Sequence, residues 1–214
     1  MDFQTEPDDT LMIKSHWFWT FLMVGLIIPV LLQAAPQIDS SEWNPLSDPP
    51  NNLHEKPDFP PGELEREIHN LVNERRRQHG RSPVTYDARL AKLARKHSRD
   101  MIERGYFHHI DPDGRSPSDR AEEMGIQTRR SRGRFSTSGI AENISHVSMY
   151  RWVVVWYGTT YHWRTLEEIA QTVVSSWMES PGHRQNLLNP HAKREGIGVA
   201  ITNEFTVYVT QNLR

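Results

Sequence analysis

Seven of the fourteen prolines in this 214-residue chain fall between Pro36 and Gly62, in "PQIDSSEWNPLSDPPNNLHEKPDFPPG". Proline fixes φ and removes a backbone donor, so such a stretch forms neither a helix nor a central strand. It reads as an extended, polyproline-like spacer over residues 36–62. Any folded domain is therefore built from residues 63–214, an ordinary length for one domain.

On the other side of the spacer, "WFWTFLMVGLIIPVLL" from Trp17 to Leu32 carries no charge, and Gln33–Ala35 extend it. At ~1.5 Å per residue the run is about long enough to cross ~30 Å of hydrocarbon. Lys14 precedes it and no Lys or Arg follows until Lys56, while Trp17 and Trp19 suit a lipid–water boundary. The asymmetry predicts residues 1–14 in the cytoplasm, a transmembrane anchor or signal sequence over 15–35, and the remainder outside. Ala34–Ala35 resembles a cleavage site, which would release a secreted protein. The expected localisation is the cell membrane, single-pass with the C-terminal domain outside, or secretion after signal cleavage.

A net charge of −2 supplies no field for nucleic acid, so no nucleic-acid partner is expected. The chain has no cysteine, which excludes disulfides, thiolate metal centres and Cys nucleophiles.

Within 63–214, Leu64, Ile68, Leu71 and Val72 form one helical stripe ended by Gly80, with Arg75-Arg76-Arg77 read as its solvated face. A second helix runs from an Asp87 cap to about Gly105, burying Leu90, Leu93, Ala94, His97 and Met101; His97 reads as a hydrogen-bonded core histidine. Ser116 or Ser118 caps a short third helix, and "QTRRSRGRFSTSG" reads as a solvated basic loop. "YRWVVVWYGTTYHW" reads as an aromatic hairpin or extended excursion. "RTLEEIAQTVVSSWMES" is a helix that Pro181-Gly182 ends. "EGIGVAIT" and "FTVYVTQNL" are strands joined by a tight turn at Asn203-Glu204. Helices bracketing a few antiparallel strands imply an α+β layered domain.

The polar candidates cluster in three places: "YFHH" (His108, His109), "AEN" (Glu142, Asn143) and "WMESPGHRQN" (Glu179, His183, Arg184, Asn186). Spacing alone does not bring them together, and Asn143 and Asn186 read as backbone-capping.

Taken in order, "HSRDM", "GYFHH", "DPDGRSPSDR", "AENI", "SSWMESPGHRQNLLNP", "REGIGVAI" and "VYVTQN" resemble the CAP superfamily. This group is named for cysteine-rich secretory, antigen 5 and plant pathogenesis-related proteins, and its module is also called the SCP domain. The resemblance covers about 63–214 and favours the prokaryotic-type branch, since eukaryotic members usually carry disulfides. It implies an α-β-α sandwich, with a small antiparallel sheet between helical layers and an open cleft. Carried over by motif, the cleft tetrad is His109 (with His108 as the alternative), Glu142, Glu179 and His183. His109 and His183 are the implied ligands of Zn²⁺ or another divalent metal. No catalytic residue is assigned.

The N-terminal run and the resemblance together imply an exported, membrane-tethered binding module whose cleft takes a metal and a lipid, cell-wall or protein ligand. The alternatives are a metal-dependent hydrolase or peptidase using Glu142 or Glu179 as base, and a structural or adhesion module of the cell envelope. Ser180 lacks the strand–turn–helix setting of a nucleophile.

Overall fold

The computed structural model of the chain describes residues 56–132, 135–155 and 159–214. The expected membrane segment over 15–35, and the spacer through residue 55, lie outside the described residues. Among the described residues no helix is long and apolar enough to cross a membrane.

Each helix begins where its local chemistry supplies a start. Helix α1 (Pro61–Gln78) opens on proline, whose missing amide costs nothing in a first turn. Helix α2 (Ala88–Glu103) is capped by Asp87, whose carboxylate accepts from the amides of Arg89 and Leu90. Reciprocal capping boxes start α3 (Pro117–Glu123) at Ser116 and Asp119, and α4 (Leu166–Glu179) at Thr165 and Glu168. A fifth helix, α5 (Pro181–Leu187), restarts directly after Ser180.

Four strands form the main sheet: β1 (Thr85–Tyr86), β4 (Ala141–Ser148), β7 (Arg194–Ile201) and β8 (Thr206–Leu213), in the order β1-β7-β8-β4. The β7–β8 and β8–β4 pairs are antiparallel, and the short β1 runs parallel to β7. Two further pairs stand apart as two-stranded ribbons: β2 (Arg129–Arg132) with β3 (Phe135–Ser138), and β5 (Tyr150–Val155) with β6 (Thr159–Trp163).

Alternation along β7 assigns the two faces of the sheet. Gly196 and Gly198 lie under α2, where an added Cβ would come within 2.0 Å of the Ala91 or Arg95 nitrogen. Backbone therefore packs on backbone there. Ile197 and Val199 point the other way, into a core with Val207, Val209 and Leu213 of β8. Leu64, Ile68 and Val72 of α1 and Ile169, Val173, Val174 and Trp177 of α4 complete that core. A smaller cluster of Leu90, Leu93, Ala121, Ile126 and Ile140 joins α2 to α3. The domain is thus α+β, with helices on both faces of its sheet.

Five local readings change. "QTRRSRGRFSTSG", read as a loop, supplies the antiparallel strands β2 and β3, whose backbones pair from Arg129–Ser138 to Arg132–Phe135. "AENISHV", read as a short lead-in to polar groups, is the full strand β4, paired with β8 from Ala141 to Ser148. Pro181-Gly182 interrupts helical structure for one residue and then begins α5. The loop between β7 and β8 is four residues, 202–205, with Phe205 at φ 63° and the Thr202 amide bonded to the Thr206 carbonyl at 2.9 Å. Finally, Arg76 is fully buried rather than solvated. Its guanidinium donates to the carbonyls of Ser82 (2.9 Å), Leu187 (2.5 Å) and Asn189 (3.1 Å). The last two carbonyls lie at the end of α5, where helical partners run out and a cation is favoured. Arg76 thereby ties α5 to α1.

Candidate functional site

Glu142 organises the candidate cleft. It stands on β4 opposite Asn212, on the same face as Gly196 and α2, and its side chain is 2% exposed. A carboxylate buried this far has to be paired. Oε2 accepts from the Arg120 guanidinium at 2.8 Å, and Oε1 accepts from His109 Nδ1 at 3.0 Å. The His97 ring lies behind, its Nε2 3.6 Å from Oε1. That nitrogen has no hydrogen-bond partner among the described residues.

His109 sits in the loop between α2 and α3, which is held at several points. The buried Asp111 accepts from the amides of Asp113 and Arg115 (3.0 Å each) and from the Arg115 side chain (2.8 Å). Burial opposes ionisation of Asp111, but these donors outweigh it and hold the carboxyl below its ordinary range. Arg120 also donates to the carbonyls of His109 (2.8 Å) and Arg115 (2.9 Å). One guanidinium thus fixes both the backbone of His109 and the carboxylate that orients its ring. Arg120 was missed in the sequence; its only signal was its place at the end of "DPDGRSPSDR".

His183 arrives from the other side on α5. Asn143 Nδ2 donates to the His183 carbonyl at 3.0 Å. Asn186 Nδ2 donates to the Glu142 carbonyl at 3.2 Å and to Asn143 Oδ1 at 3.0 Å. These bonds lock α5 against β4, and Trp177 Nε1 does the same for α4 through the Ile144 carbonyl at 3.1 Å. The rings of His109 and His183 meet edge to face with centroids 6.1 Å apart. Burial first, and then the electrostatic effect of the neighbouring His109 ring, hold His183 below the usual histidine range.

Not every candidate joins this group. His108 is exposed and turned to its own loop, its Nδ1 accepting from the Ile110 amide at 2.9 Å. Glu179 is the exposed last residue of α4 and makes no hydrogen bond or ion pair with His109, Glu142 or His183. Arg184 donates to the Met178 carbonyl at 3.2 Å, a helix-end contact. Ser180 marks the break between α4 and α5 but caps neither with its side chain.

A second carboxylate–histidine pair lies on the opposite face of the sheet. Glu195 of β7 is fully buried; Oε1 accepts from His69 Nδ1 at 2.5 Å and Oε2 from Gln211 Nε2 at 2.6 Å. His69 Nε2 accepts in turn from Asn73 Nδ2 at 3.3 Å. Gln211 Oε1 takes the Asn143 amide at 2.8 Å, so this network ends against the strand that carries Glu142. A hollow of about 730 Å³ lies beside it, lined by Glu65, His69, Tyr86, Arg95 and Leu166 among others. The Glu65 carboxylate there is already taken by the Arg95 guanidinium and the Val199 amide.

Among the described residues no three His, Asp or Glu side chains converge to hold a metal ion. Both Glu142 oxygens are committed and Glu179 stands apart, so a four-ligand tetrad does not fit. The donors that do fit are the two imidazoles, with Glu142 behind His109 as carboxylates commonly stand behind ligating histidines. Two protein donors suit an ion completed by water or ligand rather than a closed structural centre.

Residues 69–213 match the family model described as "CAP: Cysteine-rich secretory protein family". Two Bacillus subtilis proteins align with the chain: the uncharacterized protein YkwD, 34% identical over 63% of this chain, and the uncharacterized membrane protein YlbC, 31% identical over 69%. The matched segments span 41% and 33% of those relatives' own lengths. Among solved structures, an extracellular SCP-domain protein from Bacillus anthracis superimposes with a TM-score of 0.50 at 24% identity, covering 74% of this chain and 44% of that one. An outer surface protein of Borrelia burgdorferi gives 0.53 at 16% identity, covering 75% and 98%. These two likenesses concern the fold, and the site geometry above belongs to this sequence. With the family model spanning well over half its length, the chain belongs to the cysteine-rich secretory protein (CAP) family.

Proposed function

We propose that this chain is an exported binding module whose cleft takes a divalent metal, or a lipid or cell-wall group presented to it, through His109 and His183. One observation carries the reading. The buried Glu142 carboxylate engages His109 at Nδ1, which leaves Nε2 as the ring's other nitrogen, and the His183 ring lies 6.1 Å away, centroid to centroid. Two imidazoles with one ring pre-oriented form a donor set that zinc and similar ions favour. A metal bound there would act as a Lewis acid or as an anchor for an anionic ligand group. Binding is favoured over hydrolysis because neither carboxylate is placed as a base: both Glu142 oxygens are engaged, and Glu179 does not reach the pair. Export is supported by the uncharged run at 17–32 and by the likeness to YlbC, an uncharacterized membrane protein of Bacillus subtilis.

The test is a Zn²⁺ titration of the full chain, followed by heat and by thermal shift, against His109→Ala and His183→Ala. The wild type should bind and gain thermal stability, and each variant should lose both. Identical responses from all three proteins would refute the site.

A further inference from the structure

The β5–β6 ribbon is the part of the domain that the cleft does not explain. Its base is anchored: Tyr161 stacks on Trp163 at 4.9 Å, and both rings meet Phe205 edge to face at 5.6 and 5.0 Å. Its far end is not. Trp152, Val154 and Val155 are 52%, 43% and 73% exposed, although β5 pairs only with β6 and neither strand joins the main sheet. From Trp152 to Trp163 the sequence carries no Asp, Glu, Lys or Arg. A two-stranded ribbon is marginal by itself in water, and clustered apolar exposure marks a contact surface.

The kind of contact follows from the strand alternation. Trp152 and Val154 project from one face of the ribbon and Val155 from the other. A protein groove would cover one face and leave the other wet, whereas a bilayer surface surrounds both. Among the described residues neither outer edge of the ribbon pairs with a further strand, which bars it from the hydrocarbon centre and limits it to the hydrated interface. Tryptophan prefers that depth. The uncharged run at 17–32 has a length that suits a bilayer, and it lies on the same chain as the ribbon. We propose that the β5–β6 ribbon docks on a lipid bilayer, seating Trp152, Val154 and Val155 at headgroup level. This surface is independent of the His109–His183 cleft.

The absence of native cysteine makes the test clean. The full chain carrying Val155→Cys is labelled with an environment-sensitive fluorophore and placed in phosphatidylcholine vesicles, with or without lipid spin-labelled near the headgroup. Gln78→Cys, at the exposed end of α1, serves as the control position. The Val155→Cys label should shift to the blue and be quenched by the spin-labelled lipid, while the Gln78→Cys label does neither. Adding Trp152→Ala and Val154→Asp should abolish the quenching without moving the thermal midpoint of the domain. Equal behaviour at the two positions would overturn the proposal, as would quenching that survives both added substitutions. A blue shift that follows protein density without quenching would assign the ribbon to a second copy of the chain and would overturn it equally.

Discussion

Glu142 and Glu195 are two buried carboxylates in one sheet, each receiving a histidine Nδ1 on one oxygen and a second side-chain donor on the other. They differ one atom further out. His69 closes its network, because Asn73 donates to the remaining ring nitrogen. His109 does not: among the described residues only Nδ1 of its ring is hydrogen-bonded, its side chain is 39% exposed, and the His183 ring lies 6.1 Å away, centroid to centroid. The closed network is bonded at both ends, and its work is to join α1 to β7 and β8. The open one has the same inner construction with a vacant donor atom at the cleft. The difference shows that a buried Glu–His pair is no sign of function until the far ring nitrogen is accounted for.

The comparison predicts opposite consequences for equivalent changes. Glu195→Ala should be the most damaging, because it strips a buried pair of its acceptor; chemical denaturation should register a loss of about 3–5 kcal/mol. Zn²⁺ affinity of whatever remains folded should be unaltered. Glu142→Gln keeps the shape and loses the charge that orients His109. It should weaken Zn²⁺ binding by roughly 10–100-fold in calorimetry while costing about 1–3 kcal/mol of stability. Were the metal response of Glu195→Ala and Glu142→Gln the same, the division into closed and open networks would be wrong.

Acid should act through the cleft side. Burial lowers the His97 pKa, with the Glu142 charge pulling it back, and burial with the His109 charge lowers that of His183. Both rings therefore bind protons more readily in the unfolded chain. Stability is full above the unfolded value of about 6.5 and falls as pH drops from there toward the folded values. Denaturation between about pH 7.5 and 5.5 should show this loss, and His97→Gln should reduce it. The smallest effect on stability belongs to His183→Ala. This half-exposed ring accepts no core bond, so about 0.5 kcal/mol is expected, while Zn²⁺ binding disappears.

The starts of α2 and α3 were legible because they are local chemistry: Asp87 and Ser116 bond amides within three residues of themselves. Strand β4 was not. Its buried positions include Glu142, Asn143 and Ser145, and their burial depends on Arg120, Gln211 and α5, all distant in sequence. Arg76 misled for the same reason, since the carbonyls that draw it inward belong to a helix more than a hundred residues away. Motif resemblance, rather than spacing, brought His109, Glu142 and His183 together, and the fold explains how: one loop, one strand and one short helix converge. It also separates His109 from His108, a choice the adjacent residues alone left open. Arg120, which holds the group in place, had no periodicity or motif chemistry of its own.

The central claim concerns ring nitrogens, and ¹⁵N NMR of the histidine side chains during Zn²⁺ addition reads them directly. The account predicts that His69 and His109 both carry their proton on Nδ1 before metal is added. On titration, His109 Nε2 and a His183 nitrogen should shift together while His69 stays unmoved. Unchanged resonances at His109 and His183, or an equal response at His69, would contradict it.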